Sequence, residues 1–337
     1  MDEVALKDIA EKLVTPTKGI LAADESAGTI EKRFESIGLE STEENRRNYR
    51  EMLLTTDGIE EFLSGVILFD ETIRQSAGDG RPFAQLLNEK GMIPGIKVDK
   101  GTVELTNFPE EKITEGLDEL RERLIEYHGL GARFTKWRAV IKIADNIPTK
   151  TCLEANAEVM ARYAALVQSE DMVPIIEPEV LMEGGHELAR TKEVTEAVLK
   201  LLFTELEEHR VFLEGILIKT NMAVPGKDNP KKAEPIEVAA ATTNMLKEVI
   251  PSEVPGVVFL SGGQTPAEAT ANLNEINKLG RDQWELSFSF ARALQEEALK
   301  TWRGDPGNVK NAQEAFYHRA SLVSLARQGK YESNMEK

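Results

Sequence analysis

The chain has 337 residues, and 41 Lys and Arg against 58 Asp and Glu give it a formal net charge of −17. This acidic balance argues against a general nucleic-acid or anionic-membrane binder. The single cysteine, Cys152, excludes an internal disulfide and fits a reducing compartment. None of the four histidines pairs with another at metal-ligand spacing, so we expect no metal site. We find no signal-peptide pattern and no run of about 18 apolar residues, so we expect a cytoplasmic protein that binds no membrane.

Short apolar runs alternate with longer amphipathic segments along the whole chain. The apolar runs predict eight strands, over 19–24, 65–70, 95–99, 134–143, 172–180, 212–220, 256–261 and 284–290. Helical periodicity predicts intervening helices over 152–169, 187–207, 235–249, 264–278 and 291–302, with outer helices over 2–14 and 310–327.

Strands that alternate with helices predict a parallel sheet, because parallel neighbours need a crossover connection. The number eight favours a single-domain (β/α)8 TIM barrel over residues 1–337, with an additional N-terminal helix and C-terminal helix. An open doubly wound sheet is the alternative. The tail, residues 332–337, is polar and lacks a large aromatic side chain, so we expect it to be disordered and dispensable for catalysis.

Charged residues interrupt the predicted strands, although buried parallel strands are normally apolar throughout. Residues two apart on a strand face the same way, and the C-terminal mouth of a barrel holds its active site. We therefore expect a charged cluster there, the alternative being ion pairs that only hold the barrel together. The charged positions are Asp24, Asp70, Lys97 with Asp99, Lys136 with Arg138, Glu177 with Glu179, and Lys219.

Lys219 ends an apolar run, and Lys136 is a candidate neighbour. Burial and a nearby cation both lower the pKa of a lysine, which yields the neutral amine that attacks a carbonyl. This pattern predicts Schiff-base chemistry, the alternative being a strand-end lysine that reaches solvent. Glu177 and Glu179 are candidate acid/base groups, because two close carboxylates raise the pKa of one of them.

Two segments have features of anion sites. Gly262 and Gly263, in SGGQT (261–265), lead into a helix, where backbone N–H groups and the helix N-terminus attract an anion. Ser289 and Arg292 follow on the last strand and helix. A second anion site is expected near the first strand, from Ser26, Thr29, Arg33 and Lys97. Two anion sites that flank a lysine predict a substrate phosphorylated at both ends.

Seven segments resemble the class I fructose-1,6-bisphosphate aldolases: GILAADES (19–26), GIKVDKG (95–101), KWR (136–138), EPE (177–179), LEGILIKTNM (213–222), FLSGGQ (259–264) and FARALQ (290–295). The likeness runs in order from about residue 5 to residue 331. It implies reversible, metal-free cleavage of fructose 1,6-bisphosphate into the two triose phosphates through a covalent imine with Lys219, with no other cofactor. It also implies a homotetramer whose partners are sugar phosphates rather than nucleic acid.

The resemblance also implies a role for each site residue. Lys219 matches the Schiff-base lysine and Glu177 the general acid/base, with Asp24 and Lys136 in support; we group Glu179 with them. Whether Glu177 or Asp24 takes the proton of the C4 hydroxyl stays open. The other matched positions bind substrate: Ser261, Gly262, Gly263, Ser289 and Arg292 around the 1-phosphate, Lys97, Ser26 and Thr29 near the 6-phosphate, Arg33 as a substrate contact, and Arg138, which we add to this group.

Three features depart from the family pattern. Thr220 replaces a common Pro, Ala291 replaces a common Gly, and the tail is short without a terminal Tyr. Two alternative functions remain at this point. One is another Schiff-base barrel aldolase, acting on a sugar with one phosphate or a different stereochemistry. The other is a non-catalytic barrel that serves as a scaffold, which predicts a lost lysine or carboxylate.

Overall fold

A closed barrel of parallel strands forms the centre of the molecule in the computed structural model, which describes residues 1–280 and 283–336. Each of the eight barrel strands in this part of the chain pairs with its neighbours in sequence, and the last strand pairs with the first. The predicted barrel is confirmed, and the open-sheet alternative is wrong. The strands are β1 (Gly19–Ala23), β2 (Leu63–Leu68), β3 (Ile93–Lys97), β4 (Phe134–Ile141), β5 (Val173–Val180), β6 (Leu217–Thr220), β7 (Gly256–Phe259) and β8 (Glu285–Phe290).

Helices surround the barrel and cover one end of it. They are α1 (Glu3–Leu13), α2 (Ala27–Glu35), α3 (Glu43–Leu54), α4 (Asp70–Ile73), α5 (Phe83–Glu89), α6 (Leu120–Gly129), α7 (Lys150–Ser169), α8 (Leu188–Glu208), α9 (Pro235–Val249), α10 (Pro266–Lys278), α11 (Arg292–Trp302) and α12 (Val309–Arg327). Within the two described ranges, none of these helices has both the length and the apolar character needed to cross a membrane.

The N-terminal end of the barrel is sealed by apolar side chains. Leu6 and Leu13 of α1 pack in one buried cluster with Phe134 of β4. Gly95 of β3 makes room for the aromatic ring, since a Cβ atom there would lie 2.3 Å from Phe134 Cζ. The opposite, C-terminal end of the barrel is therefore the end at which charged side chains can meet.

Three local features differ from the sequence prediction. The start of the predicted sixth strand is a 3-10 turn, Leu213–Gly215, so β6 begins only at Leu217. An antiparallel hairpin, Thr102–Glu104 with Lys112–Thr114, was not predicted, because strands this short give no periodic signal. The shorter helices between β1 and β4 were also missed.

The C-terminal tail, which we expected to be disordered, forms a 3-10 turn over Ser333–Glu336. The Glu336 carboxylate accepts hydrogen bonds from Arg319 Nη1 at 2.6 Å and Nη2 at 2.9 Å, and from the Tyr331 hydroxyl at 2.7 Å. Arg319 is only 1% exposed, so its buried guanidinium needs an anionic partner. One glutamate in a polar tail meets that need, and composition alone did not indicate it.

Candidate active site

Four charged side chains meet at the C-terminal mouth of the barrel. The Nζ atom of Lys219 lies 3.0 Å from Glu177 Oε1, and Nζ of Lys136 lies 3.1 Å from Glu177 Oε2. Lys136 also lies 2.8 Å from Oδ2 of Asp24, which follows β1 directly. The side chains of Lys219 and Glu177 are only 5% and 4% exposed. Four residues from distant parts of the sequence thus form one chain of alternating charge, which we call the lysine–carboxylate cluster.

The charges of this cluster stabilise one another. Burial by itself raises the pKa of Glu177, but the positive charges of Lys136 and Lys219 outweigh it and hold that pKa below its usual range. Burial likewise raises the pKa of Asp24, and the same two lysines outweigh it and hold that pKa well below its usual range. Burial lowers the pKa of Lys136, whereas Asp24 and Glu177 together raise it above its usual value.

The pKa of Glu177 is therefore lowered, and a raised pKa at this position is not observed. We expected Glu177 or Glu179 to have a raised pKa because two carboxylates are close in sequence. In the structure, Arg138 Nε instead binds Glu179 Oε2, and two lysines contact Glu177. Glu177 is thus ionised in the resting site, in contact with the amino groups of Lys136 and Lys219.

The phosphate-binding loop predicted from the two glycines lies beside the Arg138–Glu179 pair. A Cβ atom on Gly262 would lie 2.9 Å from Glu179 Oε1, so the Gly262 backbone lies against the Glu179 carboxylate. Gly263 has a φ of +76°, and a Cβ atom there would lie 2.5 Å from Met182 Cβ. The loop is therefore held close to the charged side chains of β4 and β5.

Two side chains near this loop can bind an anion. Ser289 is 1% exposed, and its hydroxyl has no hydrogen-bond partner among the described residues. Arg292, the first residue of α11, donates from Nη2 to the Gln264 carbonyl at 2.8 Å, while 52% of its side chain is exposed. Ser261 is buried at the start of the loop. An unpartnered hydroxyl and an accessible guanidinium suit a phosphate.

The second predicted anion site consists of residues that lie near β1 and β3. Ser26 Oγ and Thr29 Oγ1 lie 3.1 Å apart at the N-terminus of α2, and the Ser26 side chain makes no capping bond to the helix. Lys97 Nζ pairs with Asp99 Oδ1 at 2.7 Å, opposite Lys136 in the strand register. Arg33 is instead paired with Glu25.

Sequence reasoning missed the role of two acidic residues. Asp99 holds Lys97, and its Oδ2 accepts a hydrogen bond from the Arg138 backbone N–H at 3.3 Å. Glu25 binds both Arg33 and Arg50. The sequence placed Asp99 in the charged cluster by its spacing of two from Lys97 but did not predict these contacts, and nothing local to Glu25 indicates Arg50.

Of the departures from the family pattern, Ala291 has a φ of −100°, so it is not in the left-handed region that favours glycine. The hydroxyl of Thr220 is buried without a hydrogen-bond partner among the described residues, and nothing in the structure explains it. Across residues 1–280 and 283–336, no group of three or more His, Cys, Asp or Glu is arranged to hold a metal ion.

Comparison with known proteins is consistent with this site. Residues 5–337 match the family described as fructose-bisphosphate aldolase class-I. A probable fructose-bisphosphate aldolase class 1 from Xanthomonas campestris is 53% identical over 327 residues, which cover 97% of this chain and 98% of that protein. The cytoplasmic isozyme of fructose-bisphosphate aldolase from Cicer arietinum is 52% identical over 324 residues, 96% of this chain and 90% of that protein.

A solved structure extends this likeness to three dimensions. Fructose-bisphosphate aldolase from Plasmodium falciparum, in a ternary co-crystal with TRAP and a small-molecule inhibitor, is 47% identical and superposes with a TM-score of 0.97. The match covers 98% of this chain and 96% of that one. The chain belongs to the class I fructose-bisphosphate aldolase family.

Proposed function

We propose that this chain cleaves fructose 1,6-bisphosphate reversibly into dihydroxyacetone phosphate and glyceraldehyde 3-phosphate, through an imine on Lys219 and without a metal ion. The observation that carries this proposal is the 3.0 Å contact between Lys219 Nζ and Glu177 Oε1 at the barrel mouth. The Cicer arietinum relative, named as a cytoplasmic isozyme of fructose-bisphosphate aldolase, supports a cytoplasmic protein that acts on sugar phosphates. The homotetramer remains a prediction from the family resemblance.

The first stage forms the imine. Glu177 accepts a proton from the Lys219 ammonium, and the neutral amine attacks the C2 carbonyl to give a carbinolamine. The protonated Glu177 returns its proton to the departing oxygen, which leaves as water, and the nitrogen becomes an iminium conjugated with the C3–C4 bond. Glu177 suits both steps because it is ionised at rest and contacts the nitrogen.

The second stage breaks the C3–C4 bond. A carboxylate removes the C4 hydroxyl proton, the bond's electron pair moves into the iminium to give an enamine, and glyceraldehyde 3-phosphate leaves. Protonation at C3 and hydrolysis then release dihydroxyacetone phosphate and restore Lys219. Glu177 and Asp24 are both candidates for the C4 proton, since Lys136 contacts and keeps both ionised.

We assign the two phosphates to the two predicted anion sites. Ser261, Gly262, Gly263, Ser289 and Arg292 bind the phosphate on carbon 1, supported by the unpartnered Ser289 hydroxyl and the exposed Arg292 guanidinium. The phosphate on carbon 6 lies near the other set of side chains: Ser26, Thr29, Arg33 and Lys97. Arg138 contributes by fixing Glu179 beside Gly262.

Trapping with borohydride tests the proposal. Dihydroxyacetone phosphate with borohydride should label the protein at Lys219 and inactivate it, and EDTA should not prevent cleavage of fructose 1,6-bisphosphate. Peptide mapping identifies the modified lysine. A label on Lys97 or Lys136, no label at all, or activity that requires added zinc would each contradict the proposed mechanism.

A further inference from the structure

Glu25 is a buried carboxylate that the proposed chemistry does not use. It follows Asp24 directly, and its side chain is only 4% exposed. Oε1 binds Arg33 Nη1, and Oε2 lies 2.5 Å from Arg50 Nη2. Arg33 belongs to α2 and Arg50 to α3, so Glu25 joins two helices beside the barrel mouth.

The charges of this trio do not cancel. Two guanidinium groups and one carboxylate leave a net charge of +1, and Arg50 is as buried as Glu25 at 3% exposure. The Arg33 side chain is 20% exposed, so of the two guanidinium groups it is the one that an anion can contact. Burial raises the pKa of Glu25, but Arg33 and Arg50 outweigh it and lower that pKa, so Glu25 is ionised at neutral pH.

The trio is anchored to the rest of the mouth through Gln295 of α11. Arg50 Nη1 lies 3.5 Å from Gln295 Oε1, which also accepts the Tyr49 hydroxyl at 3.1 Å. The Gln295 amide donates to the Ala22 carbonyl of β1 at 2.7 Å. Glu25 therefore fixes Arg33 against β1, α3 and α11 rather than against solvent.

We propose that Glu25 is a positioning residue for the phosphate on carbon 6, because it holds the Arg33 guanidinium in place while Arg50 keeps the cluster positive. This inference rests on the proposed function, which supplies the bisphosphate substrate. Without the Glu25 charge, the guanidinium groups of Arg33 and Arg50 repel each other and Arg33 loses its fixed direction. The loss should concern only substrates that carry a phosphate on carbon 6.

Glu25→Gln, which keeps the side-chain shape and removes the charge, is the main variant. We expect KM for fructose 1,6-bisphosphate to rise roughly tenfold, about 1.4 kcal/mol, while kcat changes less than about twofold. KM and kcat for fructose 1-phosphate, which lacks the second phosphate, should stay within about twofold. Glu35→Gln, an exposed change on α2, the helix that carries Arg33, is the matched control and should alter KM for neither substrate.

A double-mutant cycle with Arg33→Ala tests whether Glu25 acts through Arg33. In the Arg33→Ala background, Glu25→Gln should add almost nothing to KM. Three results would overturn the proposal. They are an equal rise in KM for both substrates, an unchanged ratio of the two KM values, and effects of Glu25→Gln and Arg33→Ala on KM that are fully additive. If Glu25→Gln does not fold, Glu25→Asp, which keeps the charge with a shorter reach, carries the same comparison.

Borohydride trapping with dihydroxyacetone phosphate separates this inference from the proposed function. That ketone has no carbon-6 phosphate, so Glu25→Gln should be labelled at Lys219 as fast as the unchanged protein. No labelling of the unchanged protein would defeat the proposed function itself. Normal labelling with an unchanged KM ratio in Glu25→Gln would defeat only the role of Glu25.

Discussion

The two ends of the barrel are both buried, but they are built from opposite kinds of side chain. At the N-terminal end, α1 and Phe134 close the barrel with apolar contacts. At the mouth, Lys219, Glu177 and Lys136 are almost as inaccessible, yet each is charged. Burying apolar surface stabilises the fold, whereas burying charges costs free energy unless they are paired. The same strands thus provide stability at one end and reactivity at the other.

The largest effect should follow from a substitution that keeps the positive charge at the mouth and removes the amine that forms the imine. Lys219→Arg retains a cation beside Glu177, so the alternating charges persist. Arginine stays protonated and cannot form an imine, so cleavage should fall by roughly 10⁴-fold or more. Steady-state assays and borohydride labelling measure this, with circular dichroism as the control for folding. Substantial residual cleavage would mean that another lysine forms the imine.

The two carboxylates of the cluster can be separated by comparing imine formation with bond cleavage. Glu177→Gln should slow both trapping with dihydroxyacetone phosphate and cleavage, by roughly 10²- to 10⁴-fold, since a proton-transfer group is lost. Asp24→Asn should slow cleavage by a similar factor but leave trapping nearly unchanged if Asp24 takes the C4 proton. Cleavage that survives Asp24→Asn assigns that proton to Glu177 instead. Normal trapping in Glu177→Gln contradicts its role at the nitrogen.

Sequence reasoning predicted the barrel well because its signals are local. Each barrel strand is an apolar run, and the charges at the strand ends predicted a charged mouth. Sequence reasoning failed where the partners of a residue are distant from it in the sequence. The pKa of Glu177 depends on Lys136 and Lys219, and the role of Glu25 depends on Arg50. Glu336 pairs with Arg319 from a polar segment whose composition predicts disorder.

The sealed end of the barrel should respond in stability rather than in chemistry. Gly95→Ala places a Cβ atom 2.3 Å from the fully buried Phe134 ring. The same ring is close to Gly65, where a Cβ atom would lie 3.1 Å from Phe134 Cε1. Overpacking of this kind costs about 1–3 kcal/mol of unfolding free energy. Gly129→Ala, in open space at the end of α6, is the matched control and should not destabilise. Urea unfolding measures both, and equal stability of the two variants would show that the ring can move.

A smaller effect is expected at the exposed side of the mouth. Arg292→Ala should raise KM for fructose 1,6-bisphosphate roughly tenfold or more, because a charge-assisted contact of about 1.5–3 kcal/mol is lost. KM for an unphosphorylated ketose should change far less. Lys300→Ala removes an exposed cation from the same helix and serves as the control. Equal losses on the two substrates would make Arg292 a structural residue.

The smallest catalytic effect should come from the tail. The Glu336 side chain contacts Arg319 and Tyr331, so the tail is held at α12 and contributes no phenol to the mouth. Deleting residues 332–337 should therefore change kcat by less than about twofold, or about 0.4 kcal/mol. A drop of tenfold or more, with the fold intact by circular dichroism, would show that the tail takes part in catalysis.

The same deletion should still lower stability, because the buried Arg319 loses its carboxylate. We expect a loss of about 1–3 kcal/mol of unfolding free energy, and Arg319→Met in the shortened chain should recover part of it by removing the unpaired charge.

Burial raises the pKa of Glu336, but Arg319 and Tyr331 outweigh it and lower that pKa below the usual 4.5. The contribution of Glu336 is therefore complete above pH 4.5 and is lost as the pH falls through the lower, folded-state pKa. Urea unfolding of the full and shortened chains at neutral and acidic pH measures this contribution. The difference in unfolding free energy between the two chains should shrink in acid. A difference that stays constant would place the stabilisation in contacts other than this ion pair.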